Sequence, residues 1–228
     1  MPIDPAAPLE ITAFDWVPDF ARGYVRDLRP RWACEELGLP YRERLISSRD
    51  RPGWYYAEQP FGQVPVIHDG EIQLFESGAI LIHLAEKDGR LLPPSGQPRA
   101  DVLAWLFAAY NSLEPMTMEQ ASVTIFHAGE DWAEARKPIL REMIGQRLVQ
   151  LADAIGDREW VAGDFSIADI ALITVMREFD REGLEPFPTL AAYLERGTGR
   201  PAFRRALAAQ IAAFSADPDI ETKQTVGE

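Results

Sequence analysis

The chain has 228 residues, 46% hydrophobic and 26% charged, which is enough for one large domain or two modest ones, each with its own core. Asp and Glu number 36 against 23 Lys and Arg, for a formal net charge of -13. That sign excludes a nucleic-acid partner gripped by its backbone, and an anionic ligand needs a local basic pocket.

No apolar run reaches membrane-spanning length, since 79–85 and 167–176 are broken by His83 and Asp169, so no membrane partner is expected. Met1–Leu9 has neither a basic nor an apolar signal-peptide region. Cys34 is the single cysteine, which excludes an internal disulfide and suits a reducing cytoplasm.

Leu9–Trp16 reads as a strand of β-branched and aromatic residues, followed by a loop over Val17–Gly23. The spacing of Val25, Leu28 and Trp32 predicts a helix over Tyr24–Leu37. Gly38 suits a left-handed C-cap, and Pro40 blocks continuation. Tyr41–Ile46 is a second strand, so strand, helix and strand form a right-handed βαβ unit. Val64–His68 and Glu71–Phe75 flank Asp69-Gly70, a hairpin signal read with both turn positions at positive φ. Ser77–Glu86 closes this part as a helix, with Ile80, Leu81 and Leu84 on one side.

Leu91–Pro98 is a linker by composition. Everything beyond it reads as helix: Arg99 to Phe126 with an interruption at Pro115, then Glu134–Ile155, Ser166–Phe179, Thr189–Arg196 and Ala202–Phe214. The polar tail Ala216–Glu228 is expected to fray. The expected organisation is an α/β domain over 1–88, a linker over 89–98 and an all-helical bundle over 99–228.

His68, His83 and His127 have no second ligand at a metal-site spacing, so no metal is expected. Nucleophile-elbow, Cys-x-x-Cys and phosphate-loop motifs are absent. Cys34 falls late in the first helix, away from the end that stabilises thiolate, and reads as a small packed residue. Pro65 at a strand start points to a fixed bend, often a cis peptide. Such a bend turns the Val64 N–H and C=O outward, where a peptide-like ligand can pair with them. Glu76 and Ser77 sit at the strand-to-helix junction. Ser77 and the helix end suit a carboxylate, and Glu76 suits an ammonium. Alone, Ser77 reads as an N-cap and Glu76 as a first-turn acid. With the Val-Pro strand twelve residues earlier, the pair matches the zwitterionic end of an amino acid.

Gly62-Gln-Val-Pro-Val66, Leu74-Phe-Glu-Ser-Gly-Ala-Ile80 and Glu35-Glu-Leu-Gly-Leu-Pro-Tyr41 closely resemble the glutathione transferase family, cytosolic and bacterial-type. Gly163-Asp-Phe-Ser-Ile-Ala-Asp-Ile170 resembles that family's C-terminal folding motif, in which Ser166 and Asp169 form a capping box. The resemblance implies a thioredoxin-like first domain, glutathione as cosubstrate and a homodimer. It also implies a cis Pro65, Val64 and Gln63 along the tripeptide, and Glu76 and Ser77 at its γ-glutamyl end. Trp16 and Phe20, with Asn111 from the helical part, are assigned to a second, apolar substrate.

The loop after the first strand, Trp16 to Leu28, lacks the Ser or Cys that family members place beside the glutathione sulfur. Counting back from Glu35, those positions fall on Tyr24 and Arg26, and Arg26 ranks ahead of Tyr24 as the activating group. Arg22, Arg26 and Arg29 share a face of the predicted helix, either as a solvated stripe or as a cationic pocket. The leading function is conjugation of glutathione to small electrophiles, a detoxifying reaction. The alternatives are a non-catalytic binding or regulatory relative, and glutathione-dependent reduction or isomerisation.

Overall fold

The computed structural model describes residues 2–179 and 181–215; the expected polar tail at 216–228 lies outside them. The chain divides into two compact units, one running to Lys87 and resuming at Pro201, the other Asp88–Arg200.

The first unit is built on a four-stranded mixed sheet of order β2-β1-β3-β4, from β1 (Leu9–Phe14), β2 (Arg42–Ile46), β3 (Val66–Asp69) and β4 (Ile72–Phe75). β1 and β2 run parallel around helix α1 (Leu28–Leu37), and β3 pairs antiparallel with both β1 and β4. Helix α2 (Ser77–Glu86) follows β4. Together they make the thioredoxin-like arrangement. Leu28 and Trp32 of α1 and Ile80, Leu81 and Leu84 of α2 are buried, each aliphatic side chain contributing about 1.5–3 kcal/mol.

Two local details differ from the sequence reading. Asp69 pairs with Ile72, so the hairpin loop is Gly70-Glu71, and only Gly70 has positive φ. A single positive φ at the first turn position is the II′ pattern. Helix α1 begins at Leu28, not Tyr24. Gly23 is left-handed, and residues 21–29 wind through i→i+3 bonds from Tyr24 N–H to Ala21 O, Leu28 N–H to Val25 O and Arg29 N–H to Arg26 O. The shared helical face for Arg22, Arg26 and Arg29 therefore does not form, because only Arg29 lies in the helix.

The second unit is helical. Helix α3 (Gly96–Ala108) runs through a wide π-type turn, Ala109–Leu113, into α4 (Glu114–Ala121). Pro115 falls in the first turn of α4, where its missing N–H costs nothing. A second wide turn, Ser122–Phe126, leads to the 25-residue α5 (Asp131–Ile155). Next come α6 (Ile167–Met176), the short α7 (Arg181–Leu184), which the sequence reading lacks, and α8 (Pro188–Thr198). Every residue of α6 is buried. The Ser166–Asp169 capping box is present, and Asp169 also accepts from Val161 N–H and from Tyr193 Oη at 2.6 Å. Among the described residues, no helix is long and apolar enough to cross a membrane.

The last helix, α9 (Pro201–Ala213), belongs to the first unit, whereas the sequence reading grouped it with the helical domain. It packs on α1: Phe203 meets the Trp32 ring edge-on at 4.9 Å, and Arg205 pairs with Glu35 at 2.6 Å. That face of α1 would otherwise expose the fully buried Trp32.

Candidate active site

Four segments of the first unit meet around the sheet end at Val64. The Val64–Pro65 peptide is cis. Val64 precedes the β3–β4 ladder, which starts at Val66 and Phe75, and its N–H and C=O take no backbone hydrogen bond among the described residues. Its side chain is buried in a cluster with Ile46, Tyr55 and Val66, against which Phe14, Val25 and Phe75 also pack. Val64 is thus held by its side chain, leaving its peptide groups for a ligand. Tyr55 Oη donates to Gln63 O at 2.7 Å and fixes the preceding residue, while the Gln63 side chain is exposed. Gly62 has φ +64, and a Cβ there would sit 2.8 Å from the Tyr56 ring, so this approach to Val64 requires glycine.

Glu76 and Ser77 stand where β4 meets α2. Glu76 is exposed and has φ 71, alone among the described non-glycine residues in having positive φ. A glutamate there costs about 1–2 kcal/mol, and such outliers cluster at functional sites. Ser77 is buried, and its Oγ accepts from Arg29 Nη1 at 3.1 Å. Arg29 is itself buried, in the first turn of α1. Sequence reasoning missed this contact by placing Arg29 on a stripe with Arg22 and Arg26. The signal was an arginine flanked by Leu28 and Pro30, three residues before Trp32.

Val25 ties the Tyr24–Asp27 turn to the same cluster as Val64. Tyr24 is exposed and Arg26 half-buried on either side of it. Asp27 is buried, pairs with Arg31 Nε at 2.7 Å and accepts from Gln210 Nε2 of α9 at 2.6 Å. Gln210 Nε2 also donates to Val25 O at 2.9 Å. Burial works against the Arg31 charge, but Asp27 and Glu43 outweigh it and raise the guanidinium pKa further. One buried amide therefore clamps the residues on both sides of Arg26. Arg22 is drawn the other way, to Asp19 and the Ser215 carbonyl.

Of the residues assigned to a second substrate, Trp16 is half-buried under the Arg49 guanidinium at 3.9 Å, and its buried Nε1 has no hydrogen-bond partner among the described residues. Phe20 is 51% exposed. Asn111 lies in the second unit, exposed on the π-type turn after α3. Cys34 is buried, which pushes its thiol well up, as suits a packed residue rather than a nucleophile. His83 bonds Asp69 at 2.7 Å, and His68 bonds Gln73. Among the described residues, no group of three His, Cys, Asp or Glu is gathered to hold a metal.

The family model of the glutathione S-transferase N-terminal domain matches residues 20–86. Over 164 residues the chain is 33% identical to the disulfide-bond oxidoreductase YfcG of Escherichia coli (strain K12), covering 65% of this chain and 73% of that protein. It is 30% identical over 197 residues to the glutathione S-transferase P of Bos taurus, covering 83% of this chain and 86% of the relative. A solved glutathione transferase of Burkholderia graminis, with two glutathione molecules bound per subunit, aligns with a TM-score of 0.77 at 26% identity over 87% of each chain. The chain belongs to the glutathione S-transferase family.

Proposed function

We propose that this chain is a transferase that binds glutathione and conjugates it, in the cytoplasm, to small, largely apolar electrophiles. The observation that carries the reading is the unpaired peptide edge of Val64, locked by one apolar cluster to the turn bearing Tyr24 and Arg26. The tripeptide's cysteinyl backbone pairs with Val64 beside Pro65 and Gln63. Its γ-glutamyl carboxylate takes the Ser77 hydroxyl and the amino end of α2, and its ammonium takes Glu76. The thiol then falls at the Tyr24–Arg26 turn, and Trp16 and Phe20 contact the electrophile. Calorimetric titration of glutathione, beside a thiol-conjugation assay with an aryl halide, tests this. Absence of glutathione binding overturns it.

The likeness to a disulfide-bond oxidoreductase favours one second reading, reduction of a disulfide by two glutathione thiols, giving two product thiols and glutathione disulfide. A buried Cys34 takes no part in that exchange. Disulfide reduction without conjugation selects this reading; binding with neither activity selects the regulatory one.

A homodimer is proposed on the exposure of Phe107, at 53%, with Trp105 and Tyr110 only half-buried. A monomer by light scattering at micromolar concentration overturns it.

A further inference from the structure

One face of the sheet changes character along its strands. Glu10, Arg42, His68 and Gln73 sit in register at one end, one from each strand. Phe14, Ile46, Val66 and Phe75 sit at the other end, in the cluster that holds the Val64 side chain. Thr12 and Arg44, paired on β1 and β2, stand at the boundary. Thr12 is fully buried, and its Oγ1 accepts from Arg44 Nε at 3.0 Å and from Arg44 Nη2 at 2.6 Å.

From that anchor the guanidinium reaches a segment outside the sheet. It forks onto the Glu58 carboxylate, with Nη1 3.2 Å from Oε1 and Nη2 donating to Oε2. Its Cζ also lies 5.1 Å from the centroid of the Trp54 ring. Between Trp54 and Glu58 is Tyr55, on a 3-10 turn, Gly53–Ala57, in which it is the one buried residue. A turn with one buried ring has little apolar packing of its own, and the forked, charge-assisted bonds of Arg44 add a second point of attachment. The chain beyond is tied to the same turn. The Glu58 and Gln59 amides donate to Tyr55 O, and buried Gln59 accepts from Phe61 N–H at 2.6 Å and from Gly62 N–H at 3.0 Å. Gln63 O takes the Tyr55 hydroxyl.

We propose, on the glutathione reading of the Val64 edge, that Arg44 is a positioning residue for the tripeptide. By holding Trp54 and Glu58 on either side of Tyr55, it fixes the Gln63–Val64 peptide edge from the far side of the turn. Its partners Glu10, Thr12, Trp54 and Glu58 all lie outside the Tyr24–Asp27 turn. Arg44 therefore sets affinity for the tripeptide and leaves ionisation of its thiol to other groups.

The test is calorimetric titration of glutathione into the full chain, beside the conjugation assay. Arg44→Met should weaken glutathione about tenfold. KM for glutathione should rise with it, while kcat and the pH–rate profile at saturating glutathione stay at wild type. Arg44→Lys keeps the charge without the fork and should recover part of the loss. Glu58→Ala should also weaken binding, and the double variant Arg44→Met/Glu58→Ala should lose no more than Arg44→Met alone. In the ligand-free chain, hydrogen exchange of the Glu58, Gln59 and Gly62 amides should quicken in Arg44→Met, while the Ile80 amide of α2 keeps its wild-type rate. Should Arg44→Met fail to fold, Glu58→Ala reads the same clamp by titration and exchange. Absence of glutathione binding in the wild type overturns the reading of the edge, and the proposal with it. Where the wild type binds, any of four results overturns the role of Arg44 alone: wild-type affinity in both single variants, additive losses in the double variant, a lowered kcat with unchanged KM, or unchanged exchange.

Discussion

Arg29 Nη1 lies 3.1 Å from Ser77 Oγ, joining the first turn of α1 to the first residue of α2 with both side chains buried. The guanidinium donates and the hydroxyl oxygen accepts. Accepting from a cation polarises the O–H bond, so Ser77 becomes a stronger donor toward an anion. The same contact brings a buried positive charge to the helix end that suits a carboxylate.

Ser77→Ala is therefore expected to weaken glutathione binding by about 1–3 kcal/mol, measured by calorimetry. Arg29→Met should lower both affinity and the unfolding midpoint, since it removes the buried Arg29–Ser77 hydrogen bond and the charge behind it. Glu76 separates the backbone role from the charge. Glu76→Gln keeps the strained φ and loses the ammonium partner. Glu76→Gly relieves about 1 kcal/mol of strain and raises stability while lowering affinity. Unchanged affinity in both Ser77→Ala and Glu76→Gln removes the γ-glutamyl assignment.

Asp69 anchors the far end of α2 through Lys87 Nζ at 2.6 Å and His83 Nε2 at 2.7 Å. Burial acts to raise its carboxyl, but the Lys87 and His83 bonds outweigh it and hold the group below the ordinary value of 3.8. A depressed aspartate stabilises the fold above its unfolded pKa, and that contribution fades as pH falls through the folded value. Asp69→Asn should cost about 1–2 kcal/mol in urea unfolding at pH 7. The gap between variant and wild type should shrink progressively below about pH 4. A gap that stays constant down to pH 2.5 contradicts this account.

The alternation of apolar residues made the strands legible, and Gly38 and Ser166 marked helix ends through local chemistry that needs no tertiary context. The start of α1 was not legible. Val25 keeps helical spacing with Leu28 and Trp32, yet it packs on the Val64 cluster from a turn, because Gly23 and the buried Asp27 carboxylate redirect the chain. Gln210 lies 183 residues from Asp27, and no local pattern announces such a contact. The cis peptide at Val64–Pro65 was legible from a proline at a strand start, whereas the positive φ of Glu76 was not, because locally it reads as an ordinary first-turn acid. The Arg29–Ser77 pair was hidden because an arginine at helical spacing reads as surface until burial is known.

Gln210 is expected to act as a positioning residue for the Tyr24–Asp27 turn. Its Nε2 holds both Val25 O and Asp27 Oδ1, so Gln210→Leu releases the turn and leaves Asp27 with one partner fewer. Conjugation should fall and its pH profile should move upward, while Ser77-dependent glutathione affinity changes little. Gln210→Asn, which keeps the amide on a shorter arm, should recover part of the loss. A variant that loses only thermal stability, with the wild-type pH profile, limits Gln210 to packing.

The remaining question is what ionises the glutathione thiol. A free thiol has pKa about 8.5, and lowering it by about 2 units needs about 2.7 kcal/mol of preference for the anion. A helix end supplies about 0.3–1 kcal/mol. The local geometry limits its direct part: the Leu28 and Arg29 amides already bond Val25 O and Arg26 O, and Pro30 has no N–H. A neutral hydrogen bond from Tyr24 nets about 1 kcal/mol, so Tyr24 and the helix dipole together fall short. A charge-assisted bond from Arg26 reaches about 1.5–3 kcal/mol and, with the dipole, suffices. Arg26 is also the better placed of the two, half-buried between the clamped Val25 and Asp27, whereas Tyr24 is 44% exposed. Arg26→Met is therefore expected to raise the apparent thiol pKa in the pH–rate profile toward the free value. Tyr24→Phe should move it by less than one unit. The reverse order makes Tyr24 the activating group. If both variants keep the wild-type rate and profile, ionisation comes from backbone amides of the Val17–Gly23 loop. If bound glutathione never ionises in the wild type, as read by thiolate absorbance, the chain binds the tripeptide without activating it.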